Sequence, residues 1–556
     1  MKTIDYWIFK LGSLVALSII LYSCSDFLEV TPKDRISDAA LWSNEIHADL
    51  FLNNVYAGIQ GPFSTHYPGE NWSDNSMNGV ELTAQRLYAI SAYTPSDILR
   101  GWDWSVQSEW NYYDFVRRAN VFIENVSESN TLSEDWKNKR IAEARFLRAY
   151  FYSILATHYG GVPLITNVLN YSTQGEYIFT ARSSIDETFQ FIIDECGEIA
   201  NVLPLKTDAG RASRGAALAL KGWMELYWAS PLYNENNDKT KWAAAAETYK
   251  KIMDLGVYDL FPDYGNLFLE DNNNNIEVIF DKPYVGNTPL GSSKTGLQGP
   301  AYSQDGAPLS WGALNPTQEL VDEYSMANGL PISHPESGYD PQNPYENREK
   351  RFYQSIFYDG SEWLGEALIM KQGVGSPNAT DLSSSNERTN TGYYSRKGMH
   401  PQYTVSGHNQ LSSANFIIYR YAEVLLGYAE AQNETVGPDE SVYNAINEVR
   451  ERSDLPPLET GMSQEEMRSA IHRERRVELA FEEKRWYDLL RLKIAEEKLN
   501  GDLHAMVIKM VDNEWVYNVI PASGGERIFY PEKNYVLPIP QSAIDRNPKL
   551  VQNPNY

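Results

Sequence analysis

The register of apolar and polar residues divides this 556-residue chain into a helical frame and one long irregular interruption. From Ala39, "AALWSNEIHADLFLNNVYAGI" sets Leu41, Ile46, Leu50 and Val55 near helical spacing, which predicts a first helix with those residues inward. "HYPGENWSDNSMNG" (66–79) breaks the pattern with Pro, Gly and Asn/Asp, and predicts a loop. Helical patterning predicts further helices over about 105–126, 133–158, 184–202, 212–230 and 241–255, then over 414–434, 438–453 and 463–498. Between them, about 257–412 is rich in Gly, Pro, Asn and Ser and carries short β-like runs, "IEVIFDKPYV" and "RFYQSIFYDG". A loop-rich insertion on a rigid frame is where binding surfaces are usually placed.

Several helices come in pairs. "RGAALALKGWMELYWAS" is followed by "KWAAAAETYKKIMDLG", and "YRYAEVLLGYAEAQNE" by "SVYNAINEVRERSDLP". Alanines allow close backbone approach and large aromatics fill the spaces alongside, as in antiparallel helix pairs of the tetratricopeptide type. The spacing is not a constant repeat and the full Trp–Leu–Gly–Tyr signature is missing, so any repeats are divergent. The predicted fold is mainly α: a tetratricopeptide-like helix-pair scaffold with a loop-rich insertion containing short strands.

The last helical stretch, Glu465 to Lys498, holds nine acidic and nine basic residues. Pairs such as Lys484–Asp488 and Asp488–Arg491 lie at helical contact spacing, and Met467, Ile471, Val477, Phe481 and Leu489 supply apolar contacts. This predicts a self-compensating structural network rather than a charged binding strip.

Charge and the ends of the chain narrow the function. The net charge is −26, and −27 without Lys2, Lys10 and Asp5. Such a surface repels phosphate backbones and anionic lipid headgroups, which disfavours nucleic acid as a partner. Leu11–Tyr22, "LGSLVALSIILY", spans roughly 18 Å as a helix against a hydrocarbon core of about 30 Å, which predicts a cleaved secretory segment over 1–23 rather than a membrane anchor. Leu21, Tyr22 and Ser23 before Cys24 resemble a bacterial lipobox, with Tyr22 the one bulky departure. Cys24 is then the first mature residue and carries lipid, each buried methylene contributing about 0.8 kcal/mol to membrane attachment. Cys196, the other cysteine, lies in the amphipathic "FIIDECGEIA", leaving no Cys pair for a zinc site. No H-E-x-x-H, G-x-S-x-G or G-x-x-x-x-G-K-[ST] motif occurs. "DNNNNIE" (271–277) lacks the turn Gly and late Glu of a calcium loop, and no cofactor or metal is expected.

Nine segments together resemble the SusD/RagB-like family of nutrient-binding outer-membrane lipoproteins. They are "SCSDFLEVTP", "YYDFVRRANVFIENV", "AEARFLRAYFYSILATHYGGVPLI", "RASRGAALALKGWMELYWA", "NPTQELVDEYSMANGLPI", "YRYAEVLLGYAEAQNE", "INEVRERSDLP", "ERRVELAFEEKRWYDLLR" and "LPIPQSAIDRNPKLVQNPNY". In one departure, "ENREKR" replaces the usual Asp-Pro-Arg run before the expected strand with Arg351. The resemblance implies four tetratricopeptide-like helix pairs carrying a loop-rich face, lipid attachment at Cys24, and display on the outside of the outer membrane. It also implies pairing with a SusC-like TonB-dependent transporter, oligosaccharide or less commonly peptide as ligand, and no enzymatic activity. The expected organisation is a signal peptide (1–23), a lipidated tether (24–38) and one domain (39–556). Within that domain the scaffold covers about 39–256 and 413–500, the insertion about 257–412, and a C-terminal extension 501–556.

Sugar binding needs aromatic rings against the C–H faces of pyranoses and planar polar groups for hydroxyls. One ring covering roughly 100 Å² gains about 2–3 kcal/mol gross at ~25 cal/mol/Å², much of it offset by lost ligand freedom. Candidate platforms are aromatics in polar loops: Trp72 with Asp74 and Asn75 as hydroxyl partners, Trp102 and Trp104 in "RGWDWS", and Trp311 in "PLSWGALNP" with Tyr284 and Tyr302 upstream. Each is also a candidate core anchor for its own loop. Trp223, Trp228, Trp242 and Trp486 lie inside apolar helices and read as core. Two other functions fit the same residues: a glycan-degrading enzyme, which needs two carboxyl groups about 5–10 Å apart beside the aromatics, and a ligand-free interaction scaffold.

Overall fold

The architecture is seen in a computed structural model, which describes residues 38–61, 69–79, 83–97, 109–286, 288, 291–301, 303–304, 307–308, 310–374, 382, 389–401 and 411–556. Among the described residues nine longer helices form the frame. They are α1 (Glu45–Tyr56), α2 (Tyr112–Glu128), α3 (Glu134–Tyr159), α4 (Ile185–Ala200), α5 (Arg214–Ala229), α6 (Lys239–Met253), α7 (Tyr421–Val436), α8 (Glu440–Arg452) and α9 (Gln464–Glu478). Their starts are set by local chemistry. Ser184 with Glu187 and Ser463 with Glu466 form capping boxes, and Asn44, Ser213, Asp238 and Asp439 cap their helices through side-chain oxygens.

From α2 to α7 each helix packs on the next, and α7 also packs on α8 and α9. The α6–α7 contact is the informative one, because the whole insertion separates these helices in sequence. The frame closes beneath the insertion as though it were absent. Tyr249 of α6 marks the junction, its ring lying between Gly222 of α5 and Gly427 of α7. A Cβ at those glycines would stand 3.1 and 2.5 Å from the ring. Small residues here let helices approach and an aromatic fill the space, as the alternation of Ala, Gly and aromatics predicts. The main apolar cluster runs from Ala48 to Leu537 and includes buried Cys196.

Short strands tie the other parts to this frame: β1 (Ser76–Met77), β2 (Val278–Lys282), β3 (Asn315–Pro316), β4 (Phe416–Arg420), β5 (Gly501–Val511) and β6 (Glu514–Arg527). β2 pairs antiparallel with β4, which leads directly into α7. Buried ion pairs reinforce this seam. Arg420 contacts Glu277 (2.6 Å), Glu478 (2.6 Å) and Glu482 (2.7 Å), and Arg351 contacts Glu349, Glu474 and Glu478. The asparagines of 272–275 are used in turns and in bonds to residues 413 and 415.

Four expectations need correction. In α1 the buried positions are Ala48, Leu52 and Val55, while Ile46 and Leu50 are exposed; neighbouring α2 and α3 meet the face that carries the smaller residue. The predicted helix 463–498 is broken: α9 ends at Glu478, and α10 (Arg485–Arg491) begins after a turn with left-handed Phe481 (φ 64°) and Glu483 (φ 61°). Within it Asp488 pairs with Arg491 at 2.8 Å, but Lys484 turns to Glu423 instead of Asp488. "RFYQSIFYDG" forms a helix at Lys350–Ser355 before a two-residue strand, because Arg351 is drawn inward by three glutamates. The C-terminal extension contains an unpredicted hairpin, β5–β6, whose turn residues Asp512 and Asn513 both have positive φ (51° and 69°). That is the two-residue turn that matches strand twist.

Candidate binding face

Three chain segments are laced together where the loop-rich part meets the frame. Residues 69–78 begin as a 3-10 turn, Gly69–Trp72, and continue into β1, which pairs antiparallel with β3. Asn71 Nδ2 donates to Ala313 O (2.9 Å), and Thr317 donates through N to Asn75 O (3.0 Å) and through Oγ1 to Asp74 O (2.6 Å). Asn390 joins the third segment, donating from its backbone N to Asn315 Oδ1 and from Nδ2 to Asn78 O, each at 2.9 Å. Trp311 sits on this bed, half-buried, with its backbone N donating to Gly296 O (3.0 Å). The next residue, Gly312, takes φ 60°, where a Cβ would lie 2.8 Å from the Tyr394 ring. Glycine thus sets the direction in which the Trp311 loop leaves the bed.

The polar residues beside Trp72 have a different task from the one expected. Asp74 is 2% exposed and forms a two-pronged pair with Arg485 (2.7 and 2.9 Å), with Arg476 3.0 Å away. Burial alone would raise its carboxyl; the two guanidinium groups overcome this and hold it well below the usual carboxylate range. Asn75, fully buried, donates to Glu70 Oε1 (2.7 Å) and accepts from Arg476 Nε (2.8 Å). Both are buried, with their side chains turned to these partners and away from any ligand at the surface. Both are corrected from ligand partners to structural residues that fasten residues 69–78 to α9 and α10.

Trp72 itself ends a ladder of rings. It stacks on Tyr88 at 5.1 Å and 9°, Tyr88 stacks on Tyr93, and Tyr93 on Tyr556. Trp486 and His158 meet Trp72 in T-shaped contacts at 5.7 and 6.5 Å. With three rings against it, Trp72 anchors its segment. Burial pushes His158 down to about 4, so the imidazole next to this indole is neutral at pH 7. Tyr284 is also corrected: it is buried in the main cluster near Gly61, because β2 carries it under the frame. Trp102, Trp104, Tyr302 and Cys24 lie outside the described residues. Of the expected platforms that are described, Trp311 is the one that stands on the loop-rich bed.

A groove of about 660 Å³ was not anticipated. It lies between the end of α5, the start of α6, and the facing sides of α7 and α9, and is lined by Trp242, Glu430, Glu434, Arg468, His472 and Leu492 among others. Arg468 forks Glu434 at 2.6 and 2.7 Å, and Arg491 forks Glu430 at 2.6 and 2.8 Å. Burial would raise Glu430, but Arg491 and then His472 hold it below the usual range. The sequence signal was present: Glu430 and Glu434, like Arg468 and His472, are four residues apart on facing helices. It reads as a charge network, and the groove is what that network leaves open. Among the described residues no group of three His, Cys, Asp or Glu is arranged to hold a metal, and no helix is long and apolar enough to cross a membrane.

The comparisons with known proteins agree along the chain. The model of the SusD family matches residues 276–556, and a second model, described as starch-binding associating with outer membrane, matches 26–223. SusD-like protein P2 of Formosa agariphila is 25% identical over 570 residues, covering 98% of this chain and 99% of the relative. A SusD-like protein of Bacteroides fragilis superposes with a TM-score of 0.78 at 30% identity, covering 94% of this chain and 100% of that one. A SusD-like carbohydrate binding protein of the same species gives 0.77 at 26% identity, covering 92% and 100%. With one family model spanning half the chain and a full-length structural relative at 30% identity, the chain belongs to the SusD family.

Proposed function

We propose that this protein binds an oligosaccharide at the bacterial cell surface and delivers it to a SusC-like TonB-dependent transporter, without cleaving it. Cys24 is the lipid attachment point, and the outer face of the outer membrane is the location. The observation that carries the reading is the laced bed of residues 69–78, 310–317 and 389–395. Three separate parts of the chain are joined there by backbone and amide bonds, and Trp311 stands on it above the helical frame. An indole held at its base by backbone bonds can meet a pyranose face with little ordering cost. Relatives described as starch-binding or carbohydrate binding support a glycan as the ligand class.

Calorimetric titration of the protein against a panel of soluble glycans tests this. One glycan is expected to bind, with Trp311→Ala weakening it at least about tenfold, roughly the 1.4 kcal/mol share of one stacking ring, while thermal stability stays within a few degrees. A flat response to every glycan, or release of shorter sugars on incubation, overturns the proposal. Replacing Cys24 by Ser is expected to shift the protein from the membrane to the soluble fraction.

A further inference from the structure

The helix α10 ends with a residue that the backbone alone does not favour. Its last turn closes as a Schellman cap: Ile494 N donates to Leu489 O (3.1 Å) and Lys493 N to Leu490 O (3.0 Å), and Ile494 packs on the apolar cluster that holds Leu489. The left-handed position of such a cap is usually glycine. Here it is Lys493 (φ 54°), an exposed residue with a backbone cost that glycine would remove. Asn237 is also left-handed (φ 49°), and its Oδ1 accepts from the indole N of Trp242 (2.9 Å). Both residues line the groove of about 660 Å³ between α5, α6, α7 and α9.

The polar groups lining this groove are unbalanced. Its two buried carboxylates are already matched, Glu434 by Nε and Nη2 of Arg468 and Glu430 by both Nη atoms of Arg491. His472 sets its Nε2 3.5 Å from Glu430. Among the described residues, the groups left without a protein partner are mostly donors: Nη1 of Arg468, the Lys493 ammonium and Nδ2 of Asn237. Glu235, exposed at the groove, is the unpaired carboxylate set against them. Pro231, Leu492 and Ile494 add apolar surface. The volume falls within the range of about 300–1,000 Å³ usual for small-molecule sites. Donors beside apolar surface suit a ligand with C–H faces and carboxylates, because a charge-assisted bond is roughly twice as strong as one to a neutral hydroxyl. The acidic surface elsewhere does not forbid this, since salt screens its repulsion beyond about 8–10 Å.

We propose that this groove is a second binding site, for an oligosaccharide of uronic acids, with Lys493 and Arg468 receiving ring carboxylates and Pro231, Leu492 and Ile494 covering C–H faces. The site shares no residue with the Trp311 bed and does not depend on the glycan reading of that bed. Lys493 is then kept at a glycine position for its ammonium.

Calorimetric titration of the full chain with trigalacturonate, trimannuronate and triglucuronate tests the site, with galactotriose as the uncharged control. At least one uronide is expected to bind, and more weakly as salt rises from about 20 to about 300 mM. Lys493→Gly removes the ammonium and relaxes the cap, so affinity is expected to fall at least about fivefold while the melting temperature holds or rises. Arg468→Gln combined with Glu434→Gln removes the fork as a neutral pair, stranding no carboxylate, and is expected to weaken binding about tenfold. Trp311→Ala is expected to leave uronide affinity unchanged, which separates this site from the loop-rich bed. Four results overturn the proposal: no uronide bound at millimolar concentration, either groove variant binding like the wild type, uronide binding lost in Trp311→Ala, or galactotriose binding that is lost equally in the groove variants.

Discussion

At the scale of single residues, the choice between binding and holding is made by how many partners a polar group already has. Asp74 and Asn75 sit in a Gly- and Asn-rich stretch beside a tryptophan, the composition of a ligand loop. Their identities carry no sign of Arg476 and Arg485, some 400 positions away. Asp74→Ala strands the buried Arg485 guanidinium and leaves Arg476 with Glu323 and Asn75, and is expected to cost about 3–5 kcal/mol, read as a lower urea midpoint with an unchanged slope. A residue that only touched ligand would leave the midpoint where it was. Trp311, by contrast, is only partly buried, and its Ala variant separates the two roles: lost glycan binding at an unchanged midpoint marks a platform, and a lowered midpoint marks an anchor.

At the scale of elements, amphipathic pattern told where helices begin, and contacts told which face is buried and where they stop. The starts expected near 184 and 463 coincide with the capping boxes of Ser184 and Ser463. The break after Glu478 was not, because "ELAFEEKRWYDLL" contains no Gly or Pro and each residue tolerates a helix. The chain leaves the helix there because Glu70 accepts the freed N–H of Phe481 and Asp74 captures Arg485. Helix approach offers a graded check. At Gly222 a Cβ meets Tyr249 at 3.1 Å, within what small shifts absorb, whereas at Gly427 it meets the ring at 2.5 Å. Alanine gains about 1 kcal/mol in helix propensity at both sites, so Gly222→Ala is expected to be near neutral. Gly427→Ala is expected to lose about 1–3 kcal/mol through overpacking, measured by thermal or urea unfolding of the two variants side by side.

At the scale of the whole molecule, two sets of carboxyl groups act against each other. Asp74, Glu430 and Glu478 are held below the usual range by guanidinium partners, with His472 also contributing at Glu430. Their contribution is full above the unfolded carboxylate value, near 4, and is lost as pH falls. Neutral His158 adds to this acid sensitivity, since it must charge on unfolding below about 6.5. Glu70 and Glu483 are displaced upward, and their contribution is lost as pH rises through about 7 and 8. Stability is therefore expected to peak near pH 5, to fall below it, and to decline from there to about pH 8, measured as melting temperature from pH 4 to 9. Glu483→Gln should make the alkaline decline shallower, leaving the share of Glu70.

The amino-acid pattern alone determined the helical frame, the self-compensating charge of residues 465–498 and, through nine ordered segments, the family. These depend on local periodicity and on short runs of neighbouring residues, which a linear reading contains. Only the tertiary structure decided which loop residues are spent on holding the fold, where α9 breaks, that a groove opens between α7 and α9, and that Glu70 meets Glu483. Most of those depend on partners 411 or 413 residues apart, and the groove on partners 34 and 61 apart. Hydrogen-bond and charge satisfaction is settled by distance in space, and chain order does not encode that distance one residue at a time.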